Sequence, residues 1–426
     1  MLMLIKNAKI VVKDNETKIV DIRIKDGKIK RIADFIELDG DEIYDAKEAY
    51  VMPGGVDVHV HLREPGFTNK ETIATGTQAA AHGGYTSIFA MPNVHPYPDN
   101  VKVMETYQAL IQQDALVHTY PYATITKAED GQELVDMQAL KQMGIRWFSD
   151  DGVGVQDANM MKQAMELAKA NDVMIVAHTE DMSYRPKAGC MHEGKRNHEL
   201  GLVGIPSETE YKQVERDLQL AYQTGCAYHI CHMSCKESVE LLKTYKAMGA
   251  NVSGEVTCHH LLLSEEDVNN TNDKMNPPLR SKEDRQALID GLLDGTIDFI
   301  ANDHAPHTEK EKQQDMVQAP FGIVALETSI PLLYTNFVKT GIFTLGQFEQ
   351  FIAKKPAARF GLENVGHIAE GYHADLVVWD ETAGVIDKET FVSKGKNTPF
   401  DGYKVAAQIA SVFVDGKIVY NKPGGY

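Results

Sequence analysis

The stretch Asp57-Val58-His59-Val60-His61-Leu62-Arg63 decides how the chain is read. It alternates as a strand does, so His59 and His61, two residues apart, project from one face near the strand's C-terminal end. Two imidazoles placed this way can share a metal ion. An isolated His-x-His also arises by chance, so its weight depends on what other strands bring to the same place.

Working outward, residues from about 51 to 303 alternate short β-like runs with helix-length amphipathic segments, the pattern of repeated βα units. Strands are expected at 50–61, 85–91, 116–125, 145–150, 173–178, 227–232, 250–256 and 297–303, with helices at 70–81, 159–170, 208–223, 236–248 and 282–293. Gly83, Gly144, Gly225 and Gly249 stand where helix C-caps belong. The fold class is therefore α/β, a (β/α)8 TIM-type barrel. Such a barrel takes about 250 residues, and the chain has 426.

The remainder lies at the two ends, where residues 5–12, 19–25, 28–33, 374–379 and 410–421 alternate like half-buried antiparallel strands. Asp26-Gly27 and Asp415-Gly416 mark hairpin turns. The expected organisation is a small composite β-sandwich from 1–52 plus 366–426, flanking a catalytic barrel at 53–365. Segments 180–208 and 308–320 read as loops after strands five and eight, on the face where barrel active sites lie. Within the second, 308–318 is polar, rich in Lys, Glu and Gln, and is expected to be mobile and to close over substrate.

Metal-competent residues recur at the ends of these strands: Asp150 and Asp151 after strand four, His178 after five, His232 after six and Asp303 after eight. In a barrel they converge on one mouth. Imidazoles and carboxylates suit zinc, and a metal pair sharing a carboxylate or hydroxide lies about 3.5–4 Å apart. Such a pair brings the pKa of bound water from ~15.7 towards ~7, which suits attack on an amide carbonyl. Asp303 is placed to hold a metal and to carry the proton to the departing nitrogen. Spacing alone leaves Asp150 and Asp151 as alternatives.

Composition excludes several classes. The formal charge of -18 disfavours nucleic acid and anionic membranes as partners, so an anionic substrate needs concentrated positive charge inside the site. No apolar run reaches the length of a membrane span, and the start Met1-Leu2-Met3-Leu4-Ile5-Lys6 is too short for a signal peptide, so a cytoplasmic enzyme is expected. Five irregularly spaced cysteines without a CxxC pair read as reduced thiols. Cys231 and Cys235, flanking His232, are expected to face away from it. His229 reads as a packing histidine, His259 and His260 as supporting or core residues, and His304 as the group that orients Asp303. Other histidines, His118 and His373 among them, belong to no motif.

Together the stretches 57–66, Ala90-Met-Pro-Asn93, Ser149-Asp-Asp-Gly-Val153, Val176-Ala-His-Thr-Glu180, His229-Ile-Cys-His-Met-Ser234, Lys274-Met-Asn-Pro-Pro-Leu-Arg280, 298–307 and Ala319-Pro-Phe-Gly-Ile323 closely resemble the dihydroorotases of the amidohydrolase superfamily, in particular the stand-alone bacterial type. The resemblance implies reversible hydrolysis of L-dihydroorotate to N-carbamoyl-L-aspartate in pyrimidine synthesis. It implies two Zn²⁺ per subunit bridged by a carboxylate and water or hydroxide, with His59, His61 and Asp303 on one ion, His178 and His232 on the other, and Asp151 as the bridge. Asp303 is then the catalytic acid/base. Arg63 and Asn93 grip the substrate carboxylate, and Asn276, His307, Phe321 and Gly322 complete the substrate contacts, the last two through the backbone. Related hydantoinases and allantoinases bridge their metals with a carboxylated lysine on strand four; here Gly144-Ile-Arg-Trp-Phe-Ser149 contains no lysine. The resemblance implies a small anion as partner; helix-covered barrels of this size often pair, so a homodimer is expected, and a transcarbamoylase contact belongs to the scaffold alternative. The alternatives are a dihydropyrimidinase- or allantoinase-like enzyme, or a silent scaffold for another enzyme of that pathway.

Overall fold

The structure, a computed structural model, describes residues 2–423, so Met1 and residues 424–426 of the expected end domain lie outside the described residues. Eight strands follow one another as Gly55–Val60, Tyr85–Ala90, His118–Pro121, Trp147–Phe148, Met174–Ala177, Ala227–Ile230, Val252–Thr257 and Phe299–Ala301. The first three form one parallel sheet and the other five a second. The margins of the two sheets meet: Ala123 bridges Phe148, and Val60 bridges His304, both in parallel sense. All eight strands thus point their C-terminal ends the same way.

Helices fill the intervals because their caps and apolar spacing agree. Ala158–Asn171 starts at Asp157, whose side chain accepts from the Met160 N–H, and it buries Met161, Ala164, Met165 and Ala168 on one stripe. Lys282–Asp294 opens with a reciprocal Ser281–Asp284 capping box. Between strands, Met174, Val176, Phe299 and Ala301 join Phe89, Tyr122 and Trp147 in a buried cluster. Phe360 closes this cluster, its ring 4.9 Å from Phe89 and 5.4 Å from His229. Among the described residues no helix is long and apolar enough to cross a membrane.

The single strand expected at 50–61 is two strands, Tyr50–Pro53 and Gly55–Val60, in different sheets. The chain changes sheet at Gly54, which approaches Thr86 so closely that a Cβ there would lie 2.2 Å from its side chain. Tyr50–Pro53 joins Leu2–Lys13, Glu16–Lys25, Lys28–Ala33 and Glu42–Asp45 with the C-terminal strands Leu376–Asp380, Gln408–Val414 and Lys417–Asn421 in one sheet of eight strands. Both Asp-Gly turns take the doubly left-handed conformation of tight hairpins, with φ of 53° and 79° at Asp26-Gly27 and 47° and 72° at Asp415-Gly416.

Two expected loops carry structure. The 180–208 segment contains a short parallel ribbon of Met191–His192 with Gly204–Ile205 and the helix Lys195–Leu200. The expected lid contains the helix Glu309–Lys312 and is pinned by two buried lysines. Lys312 Nζ donates to the carbonyls of Lys274, Pro320 and Gly322, and Lys274 Nζ to those of Val317 and Ala319.

Candidate metal centre

His59 lies within its strand, but the other residues expected to do chemistry follow the regular strand ends. Strand four covers only Trp147–Phe148 and strand eight only Phe299–Ala301, leaving Asp150, Asp151 and Asp303 on the turns that follow. Arg63, His232 and Asp303 take positive φ of 61°, 31° and 47°. Non-glycine residues avoid this region, and such conformations concentrate at functional sites, where surrounding contacts hold them.

These turns bring the ligand candidates together. His59 Nε2 lies 3.5 Å from both Asp151 Oδ1 and Asp303 Oδ1. His61 Nε2 lies 2.9 Å from Asp303 Oδ1 and 3.6 Å from Asp151 Oδ2. On the other side of Asp151, His178 Nδ1 is 3.8 Å and His232 Nε2 4.0 Å from Oδ1. Two donor sets, His59/His61/Asp151 and Asp151/His178/His232, each gather within 4.8 Å and have Asp151 in common. Asp150 is committed elsewhere: its carboxylate accepts from the backbone N–H groups of Ile125 and Thr126 and from the Thr126 hydroxyl.

Burial and charge prepare these groups for a cation. His59 Nε2 and Asp151 Oδ1 are buried without a hydrogen-bond partner, a state that is costly unless something else satisfies them. Burial alone would raise the pKa of Asp151, but His59, His61 and His178 hold it well below the usual carboxylate range. Burial opposes charge on His59 too, yet Asp303 and Asp151 raise its pKa. Burial, with His178 and His59 nearby, keeps His232 neutral, and burial lowers His178. The ionised Asp151 beside the neutral imidazoles of His178 and His232 is a donor state that suits a cation, and around His59 the carboxylates favour positive charge, which a metal ion can supply in place of a proton.

Sequence reading passed over Glu255, which supports this set from strand seven. Its Oε1 accepts from His59 Nδ1 at 2.9 Å and from the His232 N–H at 3.2 Å, while Oε2 lies 3.0 Å from His229 Nε2. Burial would raise its pKa, but the hydrogen bonds from His229 and His59 hold it down to about 2. The acceptor fixes the proton on His59 Nδ1 and leaves Nε2 toward Asp151 and Asp303. A glutamate between Ser253 and Thr257 in a wholly buried strand was the available signal. Glu255→Gln is expected to weaken metal binding about 10- to 100-fold, measured by competition with a chromogenic chelator.

A cavity of about 230 Å³ opens above these donors. Every site residue expected from sequence lines it except His59, which lies beneath and is fully buried. A wider basin of about 740 Å³ adjoins it and shares Gly152, Asn276 and Phe321. Arg63 is half-buried in the cavity wall, with Nε donating to the Pro306 carbonyl at 3.3 Å. His307 Nε2 is 2.8 Å from the Phe321 carbonyl, and burial followed by Arg63, Lys70 and Lys312 lowers its pKa to about 2, so its imidazole is neutral.

Several side chains are engaged differently from expectation. Asn93 pairs its Oδ1 with His61 Nδ1 at 2.9 Å and donates Nδ2 to Asp151 at 3.2 Å. Asn276 donates to Glu180 at 3.0 Å and accepts from Arg185 at 3.2 Å, and Arg185 also pairs with Glu180. Gly322 directs its N–H to Lys274 and its carbonyl to Lys312 and Asn397, which leaves neither group free for a backbone contact with substrate. His304 does not orient Asp303: its Nδ1 accepts from the Ala325 N–H at 3.2 Å and its Nε2 faces Glu71 at 3.5 Å. Glu71 is far away in sequence, so no local pattern announces this partner. Cys231 faces His59 and Glu255, within 4.8 Å of both, instead of turning away; Cys235 contacts Glu210 and Ser238. All five thiols are free and buried. His229 is packed, stacked on Phe299 at 5.1 Å. His260 bonds Thr257 and the Pro277 carbonyl, while His259 is buried with neither ring nitrogen paired.

Comparison with known proteins agrees with this chemistry. The family described as "Dihydro-orotase-like" matches residues 49–238, and the "Amidohydrolase family" matches 341–420. Among solved structures, the fold is that of an L-hydantoinase (dihydropyrimidinase) from Arthrobacter aurescens, with TM-score 0.89 and 25% identity over 99% of this chain and 97% of that one. A dihydropyrimidinase from Brevibacillus agri matches with TM-score 0.87 and 24% identity over 99% and 95%. The fold is thus of the α/β amidohydrolase type. A dihydroorotase from Geobacillus sp. is 51% identical over 99% of both chains, and one from Listeria innocua 51% over 98% of both. Identity at that level along the whole length places the chain in the dihydroorotase family.

Proposed function

We propose that the chain is a dihydroorotase, interconverting L-dihydroorotate and N-carbamoyl-L-aspartate in pyrimidine synthesis. The observation that carries this reading is the half-buried Arg63 guanidinium in the wall of the cavity that Asp151, Asp303, His61, His178 and His232 also line. It offers a planar fork matched to a carboxylate, which dihydroorotate has and the uncharged rings of dihydropyrimidines and hydantoins lack.

The donors fit two zinc ions. His59, His61 and Asp303 would hold one, His178 and His232 the other, and Asp151 would join them; the two donor sets that have Asp151 in common and the unpartnered atoms of His59 and Asp151 support this. Zinc held there would supply Lewis-acid polarisation of the ring amide carbonyl and would lower the pKa of the attacking water. The chain's own residues do the rest. Asp303 accepts the proton from the attacking water on a carboxylate oxygen and delivers it to the ring nitrogen as the carbon–nitrogen bond breaks. In the condensing direction the same carboxylate takes the proton from the ureido nitrogen as it attacks the protonated carboxyl group, and returns it to the carboxyl oxygen that departs as water when the amide forms. Arg63 holds the substrate carboxylate, and Asn93 joins it by turning its amide from Asp151. Asn276, His307 and Phe321 wall the ring, and Gly322 contributes the space left by its missing side chain.

The fold reading that accompanies this function is a closed (β/α)8 barrel at 53–365 with a composite sandwich from the chain ends. The bridges at both sheet margins support closure. Tyr44 supports the sandwich: its ring meets Phe413 edge-on at 5.0 Å across strands that are not neighbours in the sheet. The test is an assay of zinc-replete protein with dihydroorotate and with carbamoyl aspartate; absence of interconversion in both directions would refute the reading.

A further inference from the structure

A second group of metal-competent side chains lies away from the cavity. His118 opens strand three, at the end of the parallel strands opposite the candidate centre. His373 and Asp375 lie at the entry to Leu376–Asp380, and Asp415 is the first residue of the tight Asp-Gly turn after Gln408–Val414. His118, His373 and Asp415 bring one ligand atom each within 4.8 Å of one another.

The distances suit a shared ion. His118 Nε2 is 3.3 Å from Asp375 Oδ2 and 3.6 Å from Asp415 Oδ2. Ligand atoms about 2.0–2.2 Å from a tetrahedral zinc sit roughly 3.3–3.6 Å from each other. Asp415 also reaches the second imidazole, with Oδ1 2.7 Å from His373 Nδ1, so one carboxylate lies between two histidines. The independent sign of a missing ligand is Asp375. It is 5% exposed, its Oδ1 accepts from the Asp415 N–H at 2.8 Å, and its Oδ2 is buried with no hydrogen-bond partner. Oδ2 lies close to His118 without the alignment of a hydrogen bond, and a cation between them would satisfy both.

We propose that His118, His373 and Asp415, with Asp375 beside His118, form a divalent-metal site, of the borderline class that zinc represents, which ties the parallel strands to the sheet made by the chain ends. Two imidazoles and a carboxylate suit zinc rather than calcium or magnesium, whose ligands are all oxygens. The half-exposed imidazoles leave the site open to solvent, and its position at the far end of the strands makes it structural rather than catalytic.

The experiment compares zinc content per chain, after equilibration in a zinc buffer and gel filtration, for the wild type and a His118→Ala/His373→Ala variant. The expected result is one zinc fewer in the variant, with dihydroorotate turnover within twofold of wild type. Equal zinc content would overturn the proposal. So would a loss of zinc accompanied by loss of turnover in a folded variant, because the missing ion would then belong to the catalytic centre. If the double variant does not fold, Asp415→Asn decides: asparagine accepts the left-handed turn position, and zinc content equal to wild type in that variant would overturn the site. The comparison reads a difference between two proteins that share the same candidate centre, so it stands whether or not that centre is a dihydroorotase.

Discussion

Asp303→Asn is expected to lower turnover of dihydroorotate by at least about 10³-fold, beyond the 10²–10⁴-fold range of general acid–base catalysis if the metal is also lost. The carboxylate lies 2.9 Å from His61 Nε2 and 3.5 Å from His59 Nε2, with its oxygens toward the cavity. Asparagine is the informative replacement, because the residue has φ of 47° and asparagine tolerates that region better than alanine. It keeps the shape and removes the charge and the proton acceptor. Asp303→Ala is expected to abolish turnover as well, with circular dichroism and thermal unfolding reporting that the fold persists. Turnover within tenfold of wild type in either variant would remove Asp303 from the mechanism.

Arg63→Ala carries the second large effect. A guanidinium that becomes desolvated as it forms a charge-assisted pair with the substrate carboxylate is worth about 2–5 kcal/mol when truncated, or roughly 30- to 4,000-fold in kcat/KM. Most of the loss should appear in KM, since the carboxylate is bound alike in the ground and transition states. Arg63→Lys should recover only part of it, because a lysine lacks the planar fork. His307 stands beside Arg63 and does not substitute for it: with its pKa lowered to about 2, it is neutral through the working range. The histidine adds no ionisation to substrate binding, so the KM profile between pH 5 and 8 should show no limb that His307→Asn removes.

Much of the fold and site was legible because the chemistry sits at strand ends, where short-range pattern is strongest. The alternation around His59 and His61 and the recurrence of His or Asp after later strands name residues that one cavity gathers. What escaped depends on neighbours distant in sequence. Asp150 and Asp151 are adjacent and equal to any periodicity; only the Ile125 and Thr126 amides, from the preceding strand's end, separate them. Glu255 acts through His59, 196 residues away. The break at Gly54 follows from a close approach to Thr86, and His118 meets Asp415 only because the two chain ends fold back against strand three. Period-2 and period-3.6 patterns say which face a residue occupies, and they are silent about what that face meets.

Because the fold is shared with hydantoinases while the sequence is that of dihydroorotases, substrate charge is where the account is most exposed. The measurement is kcat/KM of zinc-replete wild type for L-dihydroorotate against dihydrouracil, the same ring without the carboxylate. The account predicts a preference for dihydroorotate of at least about 10³-fold, matching the roughly 4 kcal/mol expected of the Arg63 contact. Comparable hydrolysis of the two rings, or a preference that survives intact in Arg63→Ala, would contradict it.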